Sequence, residues 1–484
     1  MLRPAPLALV LAVAVPGLGL AACAERAERR GATVLYASGA DLQSVNPLLT
    51  VHPLARQVQR YVLLTTLARY DTTIAPVPYL ARAWTWSPDR RRLVFVLRRD
   101  VRWHDGHRTT VRDVAWTLNA ARDPATGYPR LADLASVVFV DTPSDSTVVV
   151  QFGESQRAFP DVLTDLAILP AHLLDTVPHA RLRQTAWNEQ PVGNGPFRFV
   201  AHEPNRRWVF EANTGFPAGL GGPPHLARFI VVVVDEPTTK LAALSAGELD
   251  FAGIQPAHAA FVRADPRLAI IDFPQLLTYG LVFNTRRPPF DDVSVRRAAA
   301  LALDRQEIVA AYLFGFGRVA DGPVPPGVPG YAEVSRVPFA PDSARVLLGG
   351  RRVAFEMLTV GSGEAALEQL LQQRLAAVGF TVTIRQVEMS TFLERVYGGD
   401  HDFTAAVMGM PGDVALGHVA ALGALTGVRL PADATAAQRV LARDLPVAFL
   451  YHARGLVAMN RRVRNVVMDL RGDLPTVARW EIAP

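Results

Sequence analysis

The sequence predicts an α/β protein of several layers, with two sheets in separate lobes and a cleft between them. Three observations lead there. The chain has 484 residues, too many for one ordinary core and enough for about two or three domains. Half of the residues are hydrophobic, 20% are charged, and there are 35 Gly and 37 Pro, the composition of a folded chain with many turns. Apolar strand-like runs alternate with helical stretches at two separate places, without an internal repeat.

In chain order, residues 1–22 have the layout of an export signal. Arg3 precedes an apolar run over residues 7–15, Pro16-Gly17 breaks it, and Leu20-Ala21-Ala22 leads to Cys23. That order resembles the bacterial lipobox, which implies cleavage before Cys23 and a lipid on its thiol. An uncleaved N-terminal membrane anchor is the alternative. Cys23 is the only cysteine, so no internal disulfide is possible. Residues 23–32, with alternating Glu and Arg, then read as an acylated, solvated tether.

Residues 91–97 follow the Ser87-Pro88-Asp89 turn and read as a strand, continuing through 98–103 before another turn. Thr110 and Asp113 have the spacing of a capped helix start, with the helix running to Ala121. Residues 229–234 form a continuous apolar strand. Asp235-Glu236-Pro237 opens a helix that Gly247 ends, and residues 249–252 begin the next strand, giving a buried βαβ unit. A βαβαβ series follows: strand 353–359, helix 364–378, strand 381–387, a short helix near 392–396, and strand 403–410. Right-handed crossovers make these strands mostly parallel. Ligands then belong beyond the strands' carboxyl ends, at Gly361-Ser362-Gly363 and Pro411-Gly412-Asp413.

Charge and motifs narrow the function. Fifty basic residues face 45 acidic ones, and the longest basic runs are triplets such as Arg90-Arg91-Arg92. That is too diffuse for a phosphate-tracking surface, so no nucleic-acid partner is expected. No nucleophile elbow or phosphate loop occurs. His104-Asp105-Gly106-His107 lacks the helical Glu and further ligand pair of a zinc motif, and reads as a turn. His418 reads as solvent-exposed, with the cleft as its alternative location. No catalytic residue, cofactor or metal site is expected, and the protein does not read as an enzyme.

Several stretches then resemble a known family. They are Pro78-Tyr79-Leu80-Ala81, Trp84, Trp86-Ser87, residues 93–98, Val101-Arg102-Trp103-His104-Asp105-Gly106 and residues 110–114. Further matches are Pro191-Val192-Gly193-Asn194-Gly195-Pro196-Phe197, residues 246–250, residues 283–290, Val295-Arg296, Asp304-Arg305, Ile308 and residues 446–451. In order and spacing the chain resembles the extracellular solute-binding proteins of the oligopeptide, dipeptide and nickel import class, family 5. The resemblance implies a two-lobed periplasmic-binding-protein-like fold with discontinuous lobes, two hinge strands and a subdomain inserted in the first lobe. The first lobe would comprise 33–70, 190–278 and 452–484, the inserted subdomain 71–189, and the hinges and second lobe 279–451. Residues 279–283 and 447–451 are the hinge candidates.

By the same resemblance the protein would be a monomer at the periplasm or outer face of the cell envelope, held to the membrane by the N-terminal lipid. It would bind a peptide-like or other polar small solute and deliver it to ABC permease subunits. A non-transport sensor, chaperone or interaction module is the alternative, and a secreted hydrolase a third reading. Peptide-binding members anchor a ligand amine on an Asp that matches Asp413; capping of the next helix is the competing role. Asn284, Tyr279 and Tyr451 are the other candidate ligand contacts, with core packing as the tyrosines' alternative. The chain departs from the family between Val414 and Leu445, which is several dozen residues shorter than usual. The pocket there is therefore open, rebuilt by residues 431–444, or lost.

Overall fold

The computed structural model describes residues 32–50 and 52–483. The export-like segment, Cys23 and nearly all of the tether lie outside the described residues. Among the described residues no helix is long and apolar enough to cross a membrane.

The sequence predicts two sheets in separate lobes; instead one eleven-stranded mixed sheet runs through both halves, because two long strands are shared between them. Its first-lobe half is centred on Thr33–Ser38, which pairs in parallel with Arg228–Val233 on one side and Phe251–Gly253 on the other. The helix Pro237–Ser245 makes the crossover. Pro237 supplies its first turn, and the Glu236 carboxylate accepts from the Thr239 amide at 2.7 Å. This is the βαβ unit expected from the apolar run. Arg207–Ala212 and Phe197–Glu203 extend that half as antiparallel strands.

In the second lobe Val353–Val360 lies between Phe380–Val387 and Ala405–Pro411, parallel to both. The helices Ala366–Ala376 and Met389–Tyr397 connect them, as the βαβαβ pattern predicts. The expected helix 364–378 is shorter at each end, since Ala365 departs from helical geometry and Gly379 follows at φ 118°.

Two long antiparallel strands, Leu268–Phe283 and Val447–Asn460, belong to both halves. Residues 268–274 pair with 454–460 beside the first-lobe strands, and 278–282 pair with 447–452 beside the second-lobe strands. Their register shifts between Pro274 and Thr278, and again between Tyr279 and Gly280. Such irregularities bend a strand and raise its local twist. Alternation along the strand then sorts the side chains. Tyr279, Leu281 and Phe283 pack with Leu371, Phe355 and Tyr451 on one face. Val282 packs with Val419, Leu422 and Phe449 on the other.

A separate antiparallel sheet is ordered Ala81–Trp86, Arg92–Leu97, Thr147–Phe152, Val137–Ser144. Helix Val111–Arg122 packs on it and opens with the expected capping box, the Thr110 amide donating to Asp113 Oδ2 at 2.7 Å. Residues 98–103 do not continue the strand. Arg98 turns onto Asp100 at 2.9 Å, and only Arg102 forms a bridge, to Arg108.

Candidate functional site

The groove begins where the second-lobe sheet meets the register shift. Pro411 ends its strand opposite Leu277, and the Gly412 amide donates to the Leu276 carbonyl at 2.7 Å. This fixes Asp413 beside the hinge. Asp413 Oδ1 accepts from the Gly417 amide at 2.9 Å, and Oδ2 accepts from the His418 amide at 2.9 Å. His418 Nδ1 lies 3.1 Å from the same Oδ2. Of the two roles foreseen for Asp413, the contacts show the cap, since it accepts from the first two amides of helix Gly417–Thr426; it also lines the groove. Burial alone would push the carboxyl up, but the hydrogen bonds from His418 and Gly417 outweigh it and hold the value at about 2. His418 is not a solvent residue. Its side chain is 11% exposed, and its Nε2 is buried without a hydrogen-bond partner.

The facing wall is built from arginines and aspartates. Helix Pro53–Val58 runs on into a wider turn over Gln59–Leu63, which places Arg56 and Arg60 on one side. Both reach Asp165: Arg56 Nη2 at 2.5 Å, and Arg60 through Nη1. Arg130 Nη1 arrives from another segment at 2.5 Å and also touches Asp161 at 3.3 Å. The Asp165 side chain is only 6% exposed. Burial would raise its pKa, yet the guanidiniums of Arg60, Arg56 and Arg130 carry it below the usual carboxylate range. Asp161 goes the other way, raised by burial and by Asp165.

Between these walls lies a cavity of about 780 Å³. A second cavity of about 730 Å³ continues it over the hinge, sharing Arg60, Leu276, Leu470 and Arg471 and reaching Tyr36, Phe273 and Asp473. Volumes of this size suit a small organic solute.

The other expected contacts fall elsewhere. Tyr279 and Tyr451 stack on each other, centroids 4.9 Å apart and planes 15° apart, on the sheet face away from helix Gly417–Thr426. Asn284 is fully buried and donates Nδ2 to the His401 and Phe403 carbonyls at 2.9 and 3.0 Å, fixing the loop after the strand. None of these three lines either cavity. The Gly361 loop sits at a strand's carboxyl end but also outside both cavities. Residues 103–107 form the expected turn, the Trp103 amide donating to the His107 carbonyl at 2.8 Å. The fold brings one further imidazole to this turn: His172 Nε2 comes within 2.7 Å of Asp105 Oδ2, beside His107. The second-lobe wall is built by residues 412–421, while helix Ala434–Asp444 packs behind it through Ala437 and Leu441. Sequence reasoning missed the arginine wall. Its one signal, the four-residue spacing of Arg56/Arg60 and Asp161/Asp165, is inconspicuous in an arginine-rich chain.

Two α/β lobes joined by paired strands over a charged groove define a two-lobed solute-binding fold. Residues 75–416 match the model of bacterial extracellular solute-binding proteins, family 5 (middle), and the chain belongs to that family. A protein described as an ABC transporter peptide-binding protein of Brucella ovis is 29% identical over 341 residues, 67% of this chain and 63% of that one. The chain thus spans just under two thirds of that relative's length. Di/tripeptide-binding protein 2 of Pseudomonas aeruginosa is 28% identical over 418 residues, covering 79% of this chain and 74% of that protein. The oligopeptide-binding protein AppA of Bacillus subtilis, solved with a nonapeptide, superposes with a TM-score of 0.76 at 21% identity. That superposition covers 93% of this chain and 99% of AppA, and shows the shared fold.

Proposed function

We propose that the protein captures a peptide-like or other polar solute between its lobes, outside the cytoplasm, and delivers it to the permease of an ABC importer. The observation that carries this reading is the continuous groove at the register shift. It has Asp413 and His418 on one wall and the Arg56–Arg60–Arg130 cluster on the other. A solute touching both walls favours the closed form by its differential contacts, so binding free energy becomes the signal to the permease. Residues 33–70, 190–278 and 452–484 act as the first lobe, 279–451 as hinges and second lobe, and 71–189 as the insert. Asp413 supplies negative charge on the second-lobe wall. Cys23 carries a lipid that holds a monomer at the membrane surface. No covalent step on the solute is involved.

Native mass spectrometry of freshly purified protein is expected to show a retained small molecule. Addition of that molecule with the protein is expected to stimulate the ATPase of a permease encoded beside it. Retention without stimulation would favour a sensor, and an empty groove that takes up no peptide or polar solute would overturn the reading.

A further inference from the structure

We propose that Asp473, at the hinge end of the groove, is the seat of the solute's cationic group. The proposal rests on the groove-binding reading and assigns it a polarity. Asp473 lines the second cavity together with Tyr36, Phe273, Leu276 and Leu277. Its Oδ2 accepts a 2.6 Å hydrogen bond from the Tyr36 hydroxyl, and among the described residues no cationic side chain pairs with it. Lys240, the single lysine of the chain, lines the same cavity without reaching ion-pair distance. A carboxylate offers about four lone-pair positions. Asp413 has three contacts on its oxygens from Gly417 and His418, whereas Asp473 has one.

The loop that carries Asp473 is built rigidly. The Arg471 carbonyl accepts from Gln57 Nε2 at 3.1 Å and Arg60 Nη2 at 3.2 Å, and the Gly472 amide closes a turn onto the Asp469 carbonyl at 2.8 Å. Gly472 is required there: its φ is 116°, and a Cβ would stand 1.9 Å from the Gln57 amide nitrogen. Arg471, two residues before Asp473, is drawn to Asp469 at 2.6 Å, so its guanidinium is already engaged. Tyr36 is fixed by stacking on Phe251, centroids 5.7 Å apart. Burial pushes the Asp473 carboxyl upward, and the Tyr36 hydrogen bond only partly offsets this. Such a group gains most from an arriving cation. Phe273, Leu276 and Leu277 give that cation an apolar body, and the shared Arg60 leads toward the arginine wall. The groove is therefore matched to a zwitterion, its ammonium on Asp473 and its carboxylate toward Arg56 and Arg130.

The test uses the full chain, freed of retained solute by unfolding and refolding, with trialanine and N-acetyl-trialanine titrated calorimetrically at pH 7. Trialanine is expected to bind the wild type about tenfold more tightly than the acetylated peptide, the scale of one charge-assisted hydrogen bond. Asp473→Asn is expected to abolish that difference, while Asp413→Asn preserves most of it. Asp473→Asn retains an acceptor for Tyr36 and removes a half-buried charge that lacks a cationic partner among the described residues, so its melting temperature is expected to be no lower than wild type. Equal affinity for the two peptides, or an unchanged difference in Asp473→Asn, overturns the proposal alone. If the wild type binds neither peptide, the peptide-like reading falls and the proposal with it.

Discussion

On the first-lobe wall Asp165 is buried among three guanidiniums, whereas across the groove Asp413 is held by two backbone amides and one imidazole. Both carboxyls are stabilised in the charged form, by different means. Guanidiniums that share one buried acid depend on it, because each becomes an uncompensated charge when the acid is removed. A helix's first-turn amides depend on their acid less, since water reaches them when the cap is gone. The first-lobe wall therefore behaves as one cooperative unit, and the second-lobe wall as a local device that frees its neighbours to rearrange.

The largest expected effect tests that cooperativity. Asp165→Ala is expected to lower the unfolding free energy by about 3–5 kcal/mol, read by denaturant unfolding, with Asp165→Ala/Arg130→Leu recovering part of the loss. No recovery would show that the arginines act independently. Next comes the hinge between the walls, where buried His452 lies 2.9 Å from Thr278 Oγ1. Burial holds its pKa at about 4 against an ordinary 6.5. The unfolded chain therefore takes up the proton first, and stability is full above pH 6.5 and lost as pH falls toward 4. The loss amounts to about 3 kcal/mol at most. His452→Gln is expected to remove that part of the pH slope, and His104, also held at about 4 by burial, to leave a residual slope of the same sign.

A smaller effect is expected on the second-lobe wall. Asp413→Ala should cost about 1–2 kcal/mol at pH 7, the scale of a lost cap. Because the folded value is depressed to about 2 from 3.8, the difference from wild type should shrink as pH falls from 3.8 toward 2. A constant difference would assign the effect to packing. The smallest change is expected from Tyr279→Phe, whose ring lies on the sheet face away from the helix Gly417–Thr426. Solute affinity should stay within about twofold, as for substitutions away from a contact. A larger loss would bring the groove onto that face.

The strands and helices of 353–411 are readable in sequence because apolar runs and glycine stops are local signals. The capping box at Thr110 is readable for the same reason. Asp413 is found through its position after the strand, yet its three local contacts are set by the turn through Leu416, a non-glycine residue at φ 62°. Tyr279 and Tyr451 are found as hinge aromatics, but the shift at Gly280 and the alternation beyond it decide which way they point. Asn284 reads as a polar contact and is instead a buried loop tie.

By itself the sequence determined the α/β layering and membership of a solute-binding family, because both rest on patterns within short stretches and on their order. Only the tertiary structure decided which charges meet. Arg56 and Asp165 are 109 residues apart, and Tyr36 and Asp473 are 437 apart. In a chain with 50 basic and 45 acidic residues, no local signal selects those partners. They are selected by burial, which makes an unpaired charge costly and a fixed loop such as 469–473 decisive.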